Sequence, residues 1–132
     1  MSTRNTDLLA AYWTLAGDVD PLQPSVSPYT LQERVEAASK AGWRGIGVIH
    51  EDLVATIAKV GIETVKHILE DNGIKHFELE FLVDWYCDGA EREASNHARR
   101  TILELGGKFG NHATNSTIGC VIISVLNMIP TH

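Results

Sequence analysis

Ionisable side chains are grouped at two places in this chain. His50, Glu51 and Asp52 directly follow an apolar run, which puts three ionisable groups where a predicted strand turns into a helix. Farther along, Glu78 and Glu80 alternate with apolar residues. In an antiparallel sheet such a charged face is exposed to solvent. In a parallel barrel it points into the interior, where burying a carboxylate is costly unless it is paired or has a function. The arrangement of the strands therefore decides whether these groups have a chemical role.

A sequence repeat indicates that the strands are parallel. The segments at 42–48 and 73–79 share the pattern glycine, bulky apolar, basic, any, apolar, any, apolar, and they start 31 residues apart. A helix-ending glycine, a short apolar run and a further helix are typical of a βα unit, because parallel strands need a long crossover. Eight units of this length approach the roughly 250 residues of a (β/α)8 TIM-type barrel. The 132 residues therefore predict an α/β fold with three to four parallel βα units, a partial barrel.

The remaining elements are predicted from composition and helical spacing. A capping box at Thr30 and Glu33 starts the first helix, and Gly42 ends it. Gly61 divides the next helical stretch into a short helix and the main crossover helix, and Gly106 with Gly107 ends a helix that begins near residue 90. The predicted strands are one at 8–15, where aromatic residues favour extended structure, one at 43–49 and one at 76–83.

Charge and cysteine content narrow the classes of partner. The formal net charge of −6 and the scarcity of clustered Lys and Arg argue against nucleic-acid binding. The two cysteines, Cys87 and Cys120, predict reduced thiols in a cytoplasmic protein rather than a disulfide framework. The first residues lack the apolar core of a signal peptide, and no apolar run reaches the length of a membrane span. We therefore expect a cytoplasmic protein without nucleic-acid or membrane partners.

The last part of the chain differs from the rest. Residues 111–132 contain no Asp, Glu, Lys or Arg, whereas about a quarter of residues are charged in ordinary domains. The repeat also has no third copy there, although the segment at 120–126 could still pair as a strand. We therefore divide the chain into a half-barrel at 1–110 and an atypical, uncharged tail at 111–132.

Three stretches resemble one known family. The segments at 27–35, 42–53 and 72–81 look like the start of bacterial sugar phosphate isomerase/epimerase proteins, which belong to the xylose-isomerase-like barrel superfamily that also contains apurinic endonucleases. The resemblance covers residues from about Leu8 to Gly107 and is specific for the superfamily rather than for a substrate. Beyond Gly107 the sequence departs from the family pattern, and we therefore expect the tail at 111–132 to be a truncated or frameshifted end.

The resemblance implies metal-assisted proton transfer on a sugar or sugar phosphate. In the family, a divalent cation such as Mn²⁺, Mg²⁺, Co²⁺ or Zn²⁺ polarises the substrate while a glutamate moves the proton through an enediolate. The family's metal ligands lie mainly on strands of the second half of the barrel. No metal ligand and no catalytic residue is therefore assigned here, and no metal is expected in this chain alone.

The resemblance also implies that the ends of strands two and three line a sugar site. His50 could contact a sugar hydroxyl or serve as an outer metal ligand, and the alternative is a histidine that caps the following helix or lies in solvent. Glu80 and Asp84, four residues apart, could form a polar wall. A solvated edge of an incomplete sheet is an equally good interpretation of that pair.

Aromatic residues complete the candidate sugar site. Tyr12 and Trp13 could stack on the apolar face of a pyranose, although core packing is the favoured interpretation. Trp85 and Tyr86 are better candidates for the mouth of a site, because aromatic residues in a loop have no packing role that explains them. The other histidines are interpreted as surface residues: His67, His76 and His97.

Two classes of function remain open. The chain is either the N-terminal half of a sugar isomerase/epimerase that is inactive alone, or a non-enzymatic half-barrel that self-associates, for example as a homodimer. A DNA-repair nuclease is disfavoured by the negative charge. A metal-specific rise in melting temperature would favour the enzyme class.

Overall fold

A parallel sheet forms the centre of the molecule. The computed structural model describes residues 6–20, 25–80, 87–110 and 119–123. Their strands lie side by side in the order of the chain, and every neighbouring pair is parallel. They are β1 (Leu9–Ala10), β2 (Gly45–Ile49), β3 (His76–Glu80) and β4 (Gly119–Ile123). The predicted α/β class with parallel βα units is confirmed, whereas the described strands show no closed barrel.

Helices connect each strand to the next. The helices are α1 (Tyr12–Leu15), α2 (Leu31–Lys40), α3 (His50–Val60), α4 (Ile62–Asp71) and α5 (Gly89–Gly110). The first two lie between β1 and β2, the next two between β2 and β3, and α5 between β3 and β4. Because sequential strands are neighbours, the chain advances across the sheet without reversing, unlike the doubly wound order that reverses at a switch point.

The main hydrophobic core lies on one face of the sheet. Side chains alternate between the two faces of a strand, so Ile46 and Val48 point to the same side as Phe77 and Leu79, their partners in the register. All four are at most 1% exposed. The helices contribute further buried residues to this cluster, including Val35, Leu53, Val65, Leu69 and Ile102.

Local signals explain where the helices begin and end. The capping box of α2 is confirmed: the Thr30 hydroxyl accepts a hydrogen bond from the Glu33 amide, and the Glu33 carboxylate accepts one from the Thr30 amide at 2.8 Å. Gly61 separates α3 from α4 with a φ of 81°, a backbone conformation that favours glycine. The division at Gly61 is therefore confirmed, but α3, with 11 residues, is not the short helix that was predicted.

The first predicted strand is mostly wrong. Only Leu9 and Ala10 of the segment at 8–15 form a strand, and Tyr12 and Trp13 lie in α1. Aromatic residues favour strands only as a weak tendency, which tertiary contacts override. Here the backbone amide of Tyr12 donates to Glu80, a residue 68 positions away in the chain. A local pattern carries no information about such a contact.

The end of α5 was also predicted wrongly. The helix continues through Gly106 and Gly107 instead of ending there. Each glycine costs roughly 1 kcal/mol relative to alanine in a helix interior, which neighbouring interactions can offset. Ile102 and Leu105 are buried one turn earlier, and the Lys108 ammonium pairs with Glu104 at 2.9 Å across the two glycines.

The segment proposed as a fourth strand does pair with the sheet. β4 lies parallel to β3 along all five of its residues, so the expected pairing within 120–126 is confirmed for the part that is described. The predicted extension of strand three at 81–83 lies outside the described residues. Among the helices of the described residues, none is both long enough and apolar enough to cross a membrane.

Candidate functional site

The face of the sheet opposite the main core is polar and partly open. On β2 this face carries Gly47 and Ile49, and their register partners on β3 are Glu78 and Glu80. Because Gly47 has no side chain, it leaves space on this face of the sheet next to β3. The charged alternation that the sequence shows in strand three is therefore displayed on the side of a parallel sheet away from the main core.

Glu80 fills the space above Gly47. Its side chain is buried, and a Cβ atom at position 47 would overlap the Glu80 carboxylate. The Tyr12 amide, at the start of α1, donates to both carboxylate oxygens over 3.2 Å each. Glu80 thus joins β3 to the turn that follows β1. It is not the solvated edge residue of the alternative interpretation.

The environment of Glu80 favours its protonated form. Burial, with a smaller contribution from the nearby charge of Glu78, raises the pKa of its carboxyl group to about 7, although the hydrogen bond from the Tyr12 amide acts in the opposite direction. A carboxyl group that titrates near neutral pH can both accept and return a proton, which is what general acid–base catalysis requires. Strongly shifted carboxyl groups are also typical of functional sites.

A small second hydrophobic cluster covers this face. Tyr12 and Ile49 pack there, and Trp13 is half-buried against them. The Tyr12 and Trp13 rings meet edge to face, with centroids 5.5 Å apart. Tyr12 is 1% exposed and its hydroxyl donates to the Ser25 carbonyl, so core packing, the favoured interpretation, applies to it. Trp13 keeps enough exposure to contact a ligand.

His50 lies at the end of β2, as the sequence indicated. It is the first residue of α3 and directly follows Ile49, the register partner of Glu80. Its Nδ1 atom is 3.8 Å from the Glu51 carboxylate, and this interaction with His50 lowers the pKa of Glu51. The ring also meets that of His97 on α5 edge to face, with centroids 6.5 Å apart.

Several predicted site residues cannot be placed beside these groups. Asp84 and Trp85 lie outside the described residues, and so does Tyr86. That His50 and Glu80 share a cavity stays a prediction, because the register pairs Glu80 with Ile49, the residue before His50, and fixes only the backbone positions. His97 and His67 are exposed, in agreement with the surface interpretation, while His76 is half-buried and pairs with Asp7 at 2.9 Å.

Sequence reasoning missed a buried ion pair. The Arg34 guanidinium donates through Nη2 to Asp52 at 2.7 Å, and both side chains are at most 3% exposed. The Ser27 amide donates to the other Asp52 oxygen at 2.9 Å. One signal was present: Arg34 lies three residues after Leu31 and four before Ala38, inside the apolar stripe of α2. A charged residue in such a stripe needs a buried partner.

The described residues do not fit the divalent metal that the family resemblance implies. Nowhere in the described part of the chain do three or more His, Cys, Asp or Glu side chains converge as potential ligands. Glu80, the carboxylate best placed on the polar face, accepts hydrogen bonds through both oxygens. No chemical step is therefore assigned to a metal here.

Comparison with known proteins leaves the family open: no family model matches the chain, and no curated protein matches it significantly.

Proposed function

We propose that this chain is part of a sugar isomerase or epimerase barrel, and that the polar face of its sheet contributes to a site where a proton moves on a sugar or sugar phosphate. The observation that carries the proposal is Glu80: a buried carboxyl group beside Gly47 whose pKa is raised to about 7. The sequential order of the parallel strands supports a barrel-type arrangement, since barrel strands follow one another in this way.

In the proposed reaction, Glu80 moves the proton. Its ionised form takes a proton from the carbon next to the sugar carbonyl; the C–H electron pair forms the C=C bond of an enediolate, and the carbonyl oxygen takes the negative charge. The hydroxyl on the deprotonated carbon passes its proton to that oxygen and becomes the new carbonyl, while the protonated Glu80 returns its proton to the former carbonyl carbon, which completes the isomerisation. His50 is assigned a contact with a sugar hydroxyl. Trp13 is assigned to the wall of the site. Asp84 and Trp85, which the sequence also predicts as substrate-binding residues, lie outside the described residues.

A second candidate is a non-enzymatic half-barrel that self-associates. The observation that favours it is that β1 and β4, among the described strands, each pair on one side only. Unpaired strand edges are templates for pairing with a second chain. In this alternative, Glu80 serves only to hold the start of α1 against β3. The two candidates share the fold and differ in the role of one carboxyl group.

Solvent exchange separates the two candidates. Aldoses, ketoses and their phosphates are incubated in D₂O with the protein at concentrations where it is monomeric and where it is associated, with and without Mn²⁺, Mg²⁺, Co²⁺ or Zn²⁺. Enediolate formation replaces a C–H by C–D, which proton NMR detects. We expect no exchange from the monomer and exchange from the associated form.

Matched substitutions assign the role of Glu80 in that experiment. Glu80→Gln should abolish the exchange, whereas Glu78→Gln, on the same strand and face, should retain most of it. An associated protein that exchanges no sugar proton under any condition would support the non-enzymatic alternative. Exchange that survives Glu80→Gln would contradict the assignment of this residue.

A further inference from the structure

A cavity lies in the layer of helices rather than on the polar face of the sheet. It has a volume of about 240 Å³ and is lined by the segment at 26–30 and by residues of α2, α3 and α4. Six of the lining residues carry the argument below: Tyr29, Arg34, Asp52, Thr56, Lys59 and Val60. None of them belongs to the polar face discussed above, so the inference does not depend on the proposed function.

Arg34 lines this cavity and carries an unused hydrogen-bond donor. Its guanidinium has three nitrogen atoms: Nη2 donates to Asp52, and Nε donates to the Thr30 carbonyl at 3.4 Å. Nη1 is buried and has no hydrogen-bond partner among the described residues. A buried donor without a partner is costly, and the planar guanidinium can bind a second carboxylate while the first stays in place. The free Nη1 group therefore indicates a ligand with an acceptor atom.

The charges around the cavity favour an anion. Arg34 and Lys59 are positive and Asp52 is negative, so the three ionisable side chains named above carry a net charge of +1 although the whole chain carries −6. Asp52 already interacts with Nη2 and with the Ser27 amide. Lys59 is exposed on α3 and can approach the same ligand from the solvent side. A carboxylate matches both positive groups.

The rim of the cavity is apolar. Val26 and Val60 are 48% and 42% exposed, and Tyr29 is 53% exposed. All three line the cavity, so a ligand can cover apolar surface that is otherwise in water. The volume lies below the roughly 300–1,000 Å³ of sites for drug-sized ligands, which limits the ligand to a small molecule.

We propose that this cavity binds a small organic carboxylate with an apolar body. The carboxylate accepts hydrogen bonds from Nη1 of Arg34 and from Lys59, and the apolar body packs against Tyr29 and Val60. The Arg34–Asp52 pair keeps the guanidinium oriented toward the ligand. Benzoate has this chemistry and a suitable size, and benzamide has the same shape without the charge.

An NMR titration with both molecules tests the site. We expect benzoate to shift the amide signals of Thr56, Lys59 and Val60 with a dissociation constant on the order of 1 mM, and benzamide to bind at least tenfold more weakly. Lys59→Gln should weaken benzoate binding by about three- to tenfold. Lys40→Gln removes the same charge from an exposed position on α2 outside this cavity and should leave binding unchanged.

Removal of Arg34 requires a paired substitution. Arg34→Gln alone leaves the Asp52 carboxylate buried and unpaired, which is strongly destabilising. The double variant Arg34→Gln/Asp52→Asn replaces both charged side chains by neutral ones, and it should lose detectable benzoate binding. Equal binding of benzoate and benzamide would overturn the proposal, and so would equal effects of the Lys59 and Lys40 substitutions. The lysine pair decides the question even if the double variant does not fold.

Discussion

The two faces of the sheet are stabilised in different ways. On one face, Ile46 and Val48 of β2 pack with Phe77 and Leu79 of β3 against the helices. The burial of apolar surface stabilises that layer. On the other face, Glu80 occupies the space above Gly47 and accepts hydrogen bonds from the Tyr12 amide. The first face explains why the chain folds. The second keeps an ionisable group in a place where its pKa is raised.

The largest expected effect concerns the two outer strands of the described sheet, β1 and β4. Because β1 and β4 each have one neighbour among the described strands, we expect the chain to self-associate at micromolar concentration. A dissociation constant of about 1 μM corresponds to an association free energy of about 8 kcal/mol. Sedimentation velocity measures this directly. Leu9→Lys should weaken the association by charging the β1 edge, whereas Leu103→Lys, on an exposed part of α5, should not. A stable, cooperative monomer would contradict the expectation.

The next prediction compares adjacent residues on opposite faces. Phe77→Ala should destabilise the protein by about 3–5 kcal/mol, because it removes a fully buried ring and leaves a cavity. Glu78→Ala, one residue away on the half-buried polar face, should change the free energy of unfolding by about 1 kcal/mol or less. Urea denaturation measures both. Similar losses from the two substitutions would mean that the faces do not differ as described.

Close packing on the polar face can be tested with a double-mutant cycle. Gly47→Ala should cost about 1–3 kcal/mol, because the new methyl group overlaps the Glu80 carboxylate. Combining it with Glu80→Ala removes the overlapping group, so the two effects should not add. Urea denaturation of the four proteins gives the coupling energy. Strict additivity would show that Glu80 does not lie over Gly47.

These contrasts show which features the sequence contains. The helix-packed face was predictable, because alternation in strand three and the repeat at 42–48 and 73–79 are local patterns. The capping box at Thr30 and the division at Gly61 are local as well. The α1 turn and the burial of Glu80 depend on contacts such as the one between Tyr12 and Glu80, which join distant parts of the chain. Local patterns do not encode such contacts.

The Arg34–Asp52 pair shows the same limit in the helix layer. Each residue occupies a position that the sequence marks, one within an apolar stripe and the other after a predicted strand. Nothing in either local pattern identifies the partner, because 18 positions separate the two residues. The pairing, and with it the cavity that Arg34 lines, emerges only when α2 and α3 pack together.

The last expected effect, no larger than that of Gly47→Ala, is a dependence of stability on pH. In the unfolded chain Glu80 loses its proton near pH 4.5, whereas in the folded protein it keeps the proton to about pH 7. The folded state therefore binds more protons in this window, and stability should fall by about 1–3 kcal/mol as the pH rises from 4.5 to 7. Glu80→Gln should remove this part of the slope, and Glu78→Gln should leave most of it. Urea denaturation across the window measures it.

The central claim is that the polar face holds a carboxyl group that titrates near neutral pH. Carbon-13 NMR of the protein labelled at its glutamate side-chain carboxyl carbons measures that titration, and the signal missing from Glu80→Gln identifies the residue. We predict a midpoint for Glu80 of about 7, well above that of the exposed glutamates. A midpoint near 4.5 would contradict the account, because a fully ionised Glu80 would then only hold α1 in place.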